Sequence, residues 1–326
     1  MSARRKLFPI VLMAIIACCG SAPVAADETY PSRLVKVILP FPPGSTLDAL
    51  ARVMTDQMAQ KWGQAVVIEN ITGGGGNIGT DRFARAAPDG YTLLFSPPGP
   101  LTINPLIYSD VAFDPAKFVP ITLMARVPNV LLVRNTLGAA SVPELIQLAK
   151  ANPGKLTYAS QGVGSTAFLT AKLFEASANV AMVHVPYRGA APALNDIVAG
   201  HVDLMFDTIV TSSPLHRAGT ARIVAIANNE RSAMFPQLPT VAESGLPNFR
   251  SITWFAAAAP PGTPAAIADK INRDLVEIIR RPEVGARLRD MTLEPVGGTA
   301  AEAAQFFAAE TAQWGKVIRD TGAKAQ

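Results

Sequence analysis

Cysteine is almost absent from this sequence, which has two among its 326 residues, at positions 18 and 19. Both lie in an N-terminal segment with a basic stretch at 4–6, an apolar run at 7–17 and small residues at 24–26. This pattern is typical of a cleaved export signal, with cleavage expected before Asp27. A mature chain that begins there has no disulfide, no thiol nucleophile and no thiolate metal site, so its core must hold it together.

Two other interpretations of the first 26 residues stay open. Residues 15–18 resemble a lipobox, which would make Cys18 a lipidated N-terminus. The pair Arg4-Arg5 resembles a twin-arginine export signal, although adjacent basic residues are ordinary in any export signal. The apolar run is too short to stay in a bilayer as a stable anchor. Each interpretation predicts that the rest of the chain is exported.

Charged residues are also scarce, at 17% of the chain, and their signs nearly cancel. The formal net charge of +4 includes three basic and no acidic residues from the segment 1–26, so the mature chain carries 4 − 3 = +1. The sequence therefore predicts no basic surface of the kind that binds nucleic acid.

Histidine occurs three times, at 184, 201 and 216, and this scarcity argues against a metal site or an enzyme. The spacing forms neither H-x-x-x-H nor H-E-x-x-H, and G-x-S-x-G is absent. We therefore expect no catalytic residues, no metal and no bound cofactor. An exported hydrolase that uses Ser165 with a distant histidine stays an alternative, although nothing in the sequence pairs the two.

What the chain does contain is a regular alternation of short apolar segments and amphipathic segments. The first third predicts strands at 34–39, 65–69 and 91–95, with helices at 45–61 and 77–87 between them. The alternation indicates an α/β fold, and the nearly continuous apolar runs indicate strands buried on both faces. Further strands are predicted at 119–125, 129–134, 156–159, 181–185, 202–206, 221–227 and 252–259, and further helices at 141–150, 264–281 and 300–318.

One motif occurs twice, once in each half of the fold. Gly44-Ser45-Thr46 and Gly164-Ser165-Thr166 each stand between the end of a strand and the start of a helix. A serine there can cap the helix, whose first turn has unpaired N–H groups and a positive dipole end. The repeat predicts two α/β lobes, with one helix N-terminus from each lobe facing an anion. The alternative is that both are simply well-capped helices.

Other loops at strand ends supply further candidates. The run 74–79 formally matches G-x-G-x-x-G, but no acidic residue follows the next strand to bind a ribose, so a dinucleotide is disfavoured. We interpret it as a wall of the cleft with Asn77 as a polar contact, or as a glycine turn that allows close packing. Tyr187 or Arg188 could reach a carboxylate, although a Tyr-Arg pair in a loop is more often ordinary surface structure. Asp207 either accepts an ammonium group, orders water or caps the next helix.

Four longer stretches recur in the same order in one known family. They are FPPGSTLDALARVM (41–54), ENITGGGGNIGTDRFARAAPDGYTLLF (69–95), YASQGVGSTAFLTAKLF (158–174) and VPYRGAAPALNDIVAGHVDLMFD (185–207). With them the chain resembles, over essentially its whole mature length, the periplasmic substrate-binding receptors of tripartite tricarboxylate transporters, also called Bug receptors.

The resemblance implies a two-lobed, type II-like periplasmic-binding-protein (Venus flytrap) fold with a ligand cleft between the lobes. Lobe 1 is expected to comprise 27–126, with 253–326 returning to it, and lobe 2 to comprise 127–252. The implied ligand is a small organic carboxylate, and the implied partners are the integral membrane subunits of a transporter. We expect a periplasmic monomer. A ligand sensor that docks to a signalling receptor is the alternative.

The family motifs also imply which residues face the ligand. This sequence departs from the usual pattern at Ser45, where glycine is usual, at Phe168, where histidine is frequent, and in the loop 96–99. These departures could favour a more apolar ligand. The implied ligand-binding residues are Phe41, Gly44, Ser45, Thr46, Asp48, Asn77, Ser96, Thr102, Gly164, Ser165, Thr166, Tyr187 and Asp207.

Overall fold

One long strand joins the two halves of the fold. In a computed structural model, which describes residues 30–233 and 235–324, β4 (Val119–Arg134) pairs antiparallel with β9 (Ile252–Ala259) over its first part. From Asn129 onward it pairs instead with β7 (Leu204–Thr208) and β8 (Ala221–Ile226). The full strand order is β2-β1-β3-β9-β4-β7-β5-β6, with β8 and β10 both added to β4. The predictions for the export signal and for Cys18 lie outside the described residues.

The elements before and after β4 build two α/β units. In the first unit, β1 pairs in parallel with both β2 and β3, and in the second, β5 pairs in parallel with both β6 and β7. The first unit contains β1 (Val35–Leu39), α1 (Thr46–Trp62), β2 (Val66–Asn70), α2 (Asn77–Ala84), β3 (Thr92–Ser96) and α3 (Asn104–Ile107). The second contains α4 (Val142–Ala151), β5 (Thr157–Ser160), α5 (Thr166–Ala178), β6 (Val183–Pro186), α6 (Ala190–Ala199) and α7 (Ile209–Arg217).

The C-terminal elements return to the first unit. They are α8 (Ala265–Arg280), α9 (Pro282–Asp290), β10 (Glu294–Pro295) and α10 (Ala300–Thr321). Helix α10 contacts both units, because Phe306 and Phe307 pack with the buried Trp254 of β9, whereas Trp314 and Ile318 join the core around Tyr158. None of the helices in the described part of the chain is long and apolar enough to cross a membrane.

The predicted α/β class and the two lobes are confirmed, and three details differ. The strands predicted at 119–125 and 129–134 are one strand, because Pro128, which lacks an N–H group, sits where β4 exchanges its partners and does not interrupt it. The helix predicted at 77–87 ends at Ala84. Helices α3 and α9 and strand β10 were not predicted.

Candidate ligand-binding cleft

A cavity of about 50 Å³ lies between the two lobes, where the N-termini of several helices meet. The first turns of α1, α5 and α6 and the N-cap residue of α7, Thr208, contribute to its wall. Asn129 of β4 and Thr253 of β9 form the floor of the cavity. The predicted site residues that line the cavity are Phe41, Ser45, Thr46, Ser165, Thr166 and Asp207.

The N-terminus of α1 is held by its own cap. Ser45 Oγ accepts the backbone N–H of Asp48 at 3.2 Å, and its hydroxyl proton has no acceptor among residues 30–233 and 235–324. The Asp48 carboxylate accepts the N–H of Gly44 at 3.2 Å and bonds to Arg52 at 3.1 Å. Asp48 therefore stabilises the turn before α1 and does not line the cavity. Its position does not support the predicted contact with a ligand. Gly44, with φ of 82°, supplies the turn.

The N-terminus of α5 faces the first one from the other lobe. Ser165 Oγ accepts the N–H of Phe168 at 3.2 Å and donates its proton to the carbonyl of Gly162 at 2.7 Å. Both hydrogen-bonding functions of this hydroxyl are thus used within the loop, which leaves the backbone N–H groups of the first turn and the hydroxyl of Thr166. Gly164 does not line the cavity, since it packs against the amide of Asn104.

Asp207 is buried at the end of β7, with 2% of its surface exposed. Its carboxylate accepts hydrogen bonds from Gln161 Nε2 at 2.9 Å, Thr211 Oγ1 at 2.5 Å and Ser212 Oγ at 3.4 Å. Burial raises the pKa of Asp207 to about 6, and the hydrogen bonds partly oppose that rise. Thr211 and Ser212 belong to the first turn of α7, whose N-cap is Thr208, so Asp207 contacts this helix start through side-chain hydroxyls. Its roles toward an ammonium group, water or the helix cap stay predictions.

The remaining predicted residues lie near the cavity but not in its wall. Asn77 Oδ1 accepts a bond from Asn104 Nδ2 at 2.5 Å beneath the glycine turn. Ser96 and Thr102 donate to the backbone carbonyls of Pro97 and Pro98, both at 3.0 Å. Each of these side chains has a hydrogen-bond partner in the protein, and none of the three lines the cavity.

Tyr187 belongs to a neighbouring groove rather than to the cavity. The groove runs between the glycine turn 73–76 of lobe 1 and the loop 186–188 of lobe 2. The hydroxyl of Tyr187 donates to Asp196 Oδ2 at 2.5 Å, and burial, followed by that bond, raises the pKa of Tyr187 to about 12. At neutral pH the hydroxyl is therefore protonated and already paired.

The cavity also contains polar side chains that the sequence analysis did not single out. Thr253 Oγ1 donates to Asn129 Oδ1 at 2.9 Å, and Asn129 Nδ2 donates to Ser251 Oγ at 2.8 Å. Thr253 is the single threonine in the otherwise apolar β9, and that was the available signal, whereas Asn129 lies in a strand that also contains Thr122 and Arg126. Gln161 and Thr208 lie directly beside residues that were predicted.

The electrostatics of the cavity come from backbone and hydroxyl groups. Within the described part of the chain, its lining has no lysine, arginine or histidine side chain. The positive potential is that of helix N-termini, each of which favours an anion by about 0.3–1 kcal/mol, rising to about 2 kcal/mol when partly buried. An anion that enters would meet these neutral donors and also the carboxyl group of Asp207, whose oxygens already accept hydrogen bonds from Gln161, Thr211 and Ser212.

Among residues 30–233 and 235–324, no pairing of the kind a hydrolase needs is found at Ser165. His184 Nε2 lies 2.7 Å from Ser160 Oγ, and the imidazole stacks on the ring of Tyr158 outside the cavity lining. Burial, together with the charge of Lys172, lowers the pKa of His184 to about 4, so the ring is neutral at pH 7. Among the described residues, no group of three or more His, Cys, Asp and Glu is placed to hold a metal ion.

Comparison with known proteins identifies one family of similar sequences and structures. The sequence profile described as "Tripartite tricarboxylate transporter family receptor" matches residues 50–323. Protein BugT of Bordetella pertussis is 37% identical over 317 residues, which are 96% of this chain and 97% of BugT.

Two solved structures extend the likeness to three dimensions. Rpa4515 of R. palustris, solved with adipate, is 36% identical with a TM-score of 0.88, covering 90% of this chain and 98% of that protein. MatC (Rpa3494) from Rhodopseudomonas palustris, solved with bound malate, is 33% identical with a TM-score of 0.84, covering 89% and 100%. These matches confirm the predicted solute-binding-protein fold.

Proposed function

The chain belongs to the tripartite tricarboxylate transporter family of receptors, and on that premise we propose that it holds a small dicarboxylate in the cavity between its lobes. The observation that carries this proposal is the meeting of the first turns of α1, α5 and α6 and the N-cap of α7 on one cavity whose described lining has no cationic side chain. Such a cavity suits a small anion whose charge is spread over several oxygens.

The ligand class follows from the donors that remain unused. The hydroxyl of Ser45, the hydroxyl of Thr166 and the backbone N–H groups of the helix first turns can each donate to a carboxylate. Hydrogen bonds to a charged group contribute about 1.5–3 kcal/mol each, and a few of them suffice for the roughly −8 kcal/mol of micromolar binding. The apolar side chains of Phe41, Leu47 and Phe255 would line the path of the ligand's carbon chain.

The lobes would close around the ligand by bending where two strands pass between them. β4 changes partners after Pro128, and β9 begins at Ile252. This supports lobe 1 as 27–126 with 253–326, and lobe 2 as 127–252, while the last turns of α10 pack on lobe 2. A closed receptor of this kind would act in the periplasm as a monomer, deliver the ligand to integral membrane subunits and leave it chemically unchanged.

Calorimetric titration tests the proposal directly. The protein should first be unfolded and refolded to remove any ligand that co-purifies with it. We expect one molecule of malate, adipate or a related dicarboxylate to bind with a Kd near or below the micromolar range, without turnover during prolonged incubation. The proposal is wrong if no mono-, di- or tricarboxylate and no acidic amino acid binds, or if the bound compound is consumed.

A further inference from the structure

A chain of hydroxyl groups crosses the cleft from lobe 1 to lobe 2. Thr46 Oγ1, at the first residue of α1, lies 2.6 Å from Thr208 Oγ1, the N-cap of α7. Thr208 Oγ1 lies 2.9 Å from Thr211 Oγ1, which in turn donates to Asp207 Oδ2 at 2.5 Å. Thr46 and Thr208 are each 5% exposed, so their contact is shielded from water.

The Asp207 carboxylate, at the end of this series of hydroxyl groups, determines which group donates in each hydrogen bond. An ionised carboxylate only accepts hydrogen bonds, and each hydroxyl has a single proton to donate. Thr211 gives its proton to Asp207, because its other acceptor, the carbonyl of Thr208, is farther away at 3.2 Å. Thr208 must then donate to Thr211, and Thr46 must donate to Thr208.

We propose that this chain is a latch of the closed receptor, and that the Asp207 carboxylate acts as a positioning group that fixes its donor direction. The inference rests on the proposed function, since it assumes that the lobes separate. When the lobes separate, the hydrogen bond between the hydroxyls of Thr46 and Thr208 breaks, and both hydroxyls bind water. The bond between them therefore belongs to the closed state alone.

The latch also separates closure from ligand recognition. The proton of Thr46 is committed to Thr208, so Thr46 can offer a ligand only its backbone N–H. The hydroxyl of Ser45, one residue earlier, has a proton to spare among the described residues. Adjacent residues of the same helix start thus serve different purposes, one for the opposite lobe and one for the ligand.

The test uses Thr211→Val, because Thr211 does not line the cavity and valine replaces its hydroxyl with a methyl group of similar size. Adipate and malate serve as probes in calorimetric titrations of the full chain. Thr46→Val removes the bond between the lobes, and a neutral hydrogen bond contributes enough to change an equilibrium by about fivefold. Thr211→Val leaves that bond possible but removes the acceptor that fixes its direction, so we expect a smaller, measurable fall in affinity. Thr211→Ser, which keeps the hydroxyl, should bind as the unchanged protein does.

A double-mutant cycle with Thr46→Val distinguishes a latch from two local effects. If the hydroxyls act as one chain, Thr46→Val with Thr211→Val loses no more affinity than Thr46→Val alone. Additive losses, or an unchanged affinity in Thr211→Val, overturn the proposal.

A second readout separates failure of the latch from failure of the proposed function. If neither probe binds the unchanged protein, the proposed ligand class fails, and the distance between labels on the two lobes still tests the latch. Thr211→Val should then reduce the short-distance fraction of the ligand-free distribution, and an unchanged fraction contradicts the latch.

Discussion

The backbone of Gly75 packs against the carbonyl oxygen of Val163 across the cleft. A Cβ placed at residue 75 would lie 2.5 Å from that oxygen, and the same oxygen accepts a 2.7 Å hydrogen bond from the hydroxyl of Tyr108. Gly75 belongs to the glycine turn of lobe 1 and Val163 to the loop before α5 in lobe 2. The glycine turn is therefore a surface on which the lobes meet when they close.

Gly75→Ala should weaken closure without preventing folding. The added Cβ meets a backbone carbonyl, which cannot move aside as the end of a side chain can, so the loops must stay apart. We expect at least a tenfold loss of affinity for the dicarboxylate, measured by calorimetric titration.

Gly63→Ala is the matched control for this change. Gly63 has φ of 64° and Gly75 has φ of 63°, so alanine meets the same left-handed strain of about 1–2 kcal/mol at both positions. At residue 63, however, nothing lies within 4 Å of the added Cβ. Equal affinities of the two variants would show that the glycine turn has no part in closure.

Ser45→Gly should remove a ligand contact and leave α1 intact. Glycine is nearly as good an N-cap as serine, differing by a few tenths of a kcal/mol, so the free energy of unfolding should hardly change. Loss of a hydrogen bond to a charged ligand costs about 1.5–3 kcal/mol, which predicts a loss of affinity of tenfold or more. An affinity unchanged by the substitution would mean that the Ser45 hydroxyl does not donate to the ligand.

Asp207 should make the protein more stable in mild acid than at neutral pH. Its pKa is raised from 3.8 to about 6, so the folded chain keeps a proton that the unfolded chain releases over that range. The contribution is fully present below about pH 4 and is lost as the pH rises through 6.

The comparison of the unchanged protein with Asp207→Asn isolates this effect. The free energy of unfolding of the unchanged protein minus that of the variant should increase as the pH falls from 7 to 4. His184, whose pKa is lowered to about 4, has the opposite dependence, and it cancels in this difference. A difference that is constant or decreases over the same range is incompatible with a raised pKa at residue 207.

Glu310 should be essential to the packing of α10. Its Oε2 accepts the indole N–H groups of Trp254 at 2.7 Å and Trp314 at 3.2 Å, and the side chain is 5% exposed. Glu310→Met leaves both donors buried and unpaired, at a cost of about 1–3 kcal/mol each. Chemical denaturation should show a loss of roughly 2–6 kcal/mol. Glu310→Gln, which keeps an acceptor oxygen, should lose much less, and equal losses would refute the role of the acceptor.

The helix starts at the cleft could be predicted because capping is local. The side chain of Ser45 bonds to a backbone group three residues later, and the side chain of Ser165 does the same. Short stretches of sequence contain all the information that these contacts need. The repeat of the motif then indicated two lobes before any tertiary contact was known.

The floor of the cavity could not be predicted in this way. The bond between Asn129 and Thr253 joins residues 124 positions apart, and it exists only because β4 and β9 pair in a particular register. Asn77 and Tyr187 show the converse case: their loops lie at the cleft, but their side chains are taken up by Asn104 and Asp196. The sequence predicts the position of a loop more readily than the direction in which its side chains point.

The distance between the lobes, measured as a function of ligand, tests the central claim most directly. The sequence has no cysteine after Cys19, so with Cys18 and Cys19 replaced by serine a labelled pair can be introduced cleanly. Ile78 on α2 and Val198 on α6 are 58% and 42% exposed and suit this purpose.

Spin labels at Ile78→Cys and Val198→Cys report that distance in the refolded, ligand-free protein and again with saturating adipate or malate. The account predicts a broad, long distance that shortens and narrows when the dicarboxylate binds, and that fails to shorten in Gly75→Ala. A distance unchanged by a ligand that calorimetry shows to be bound would contradict capture by closure of the lobes.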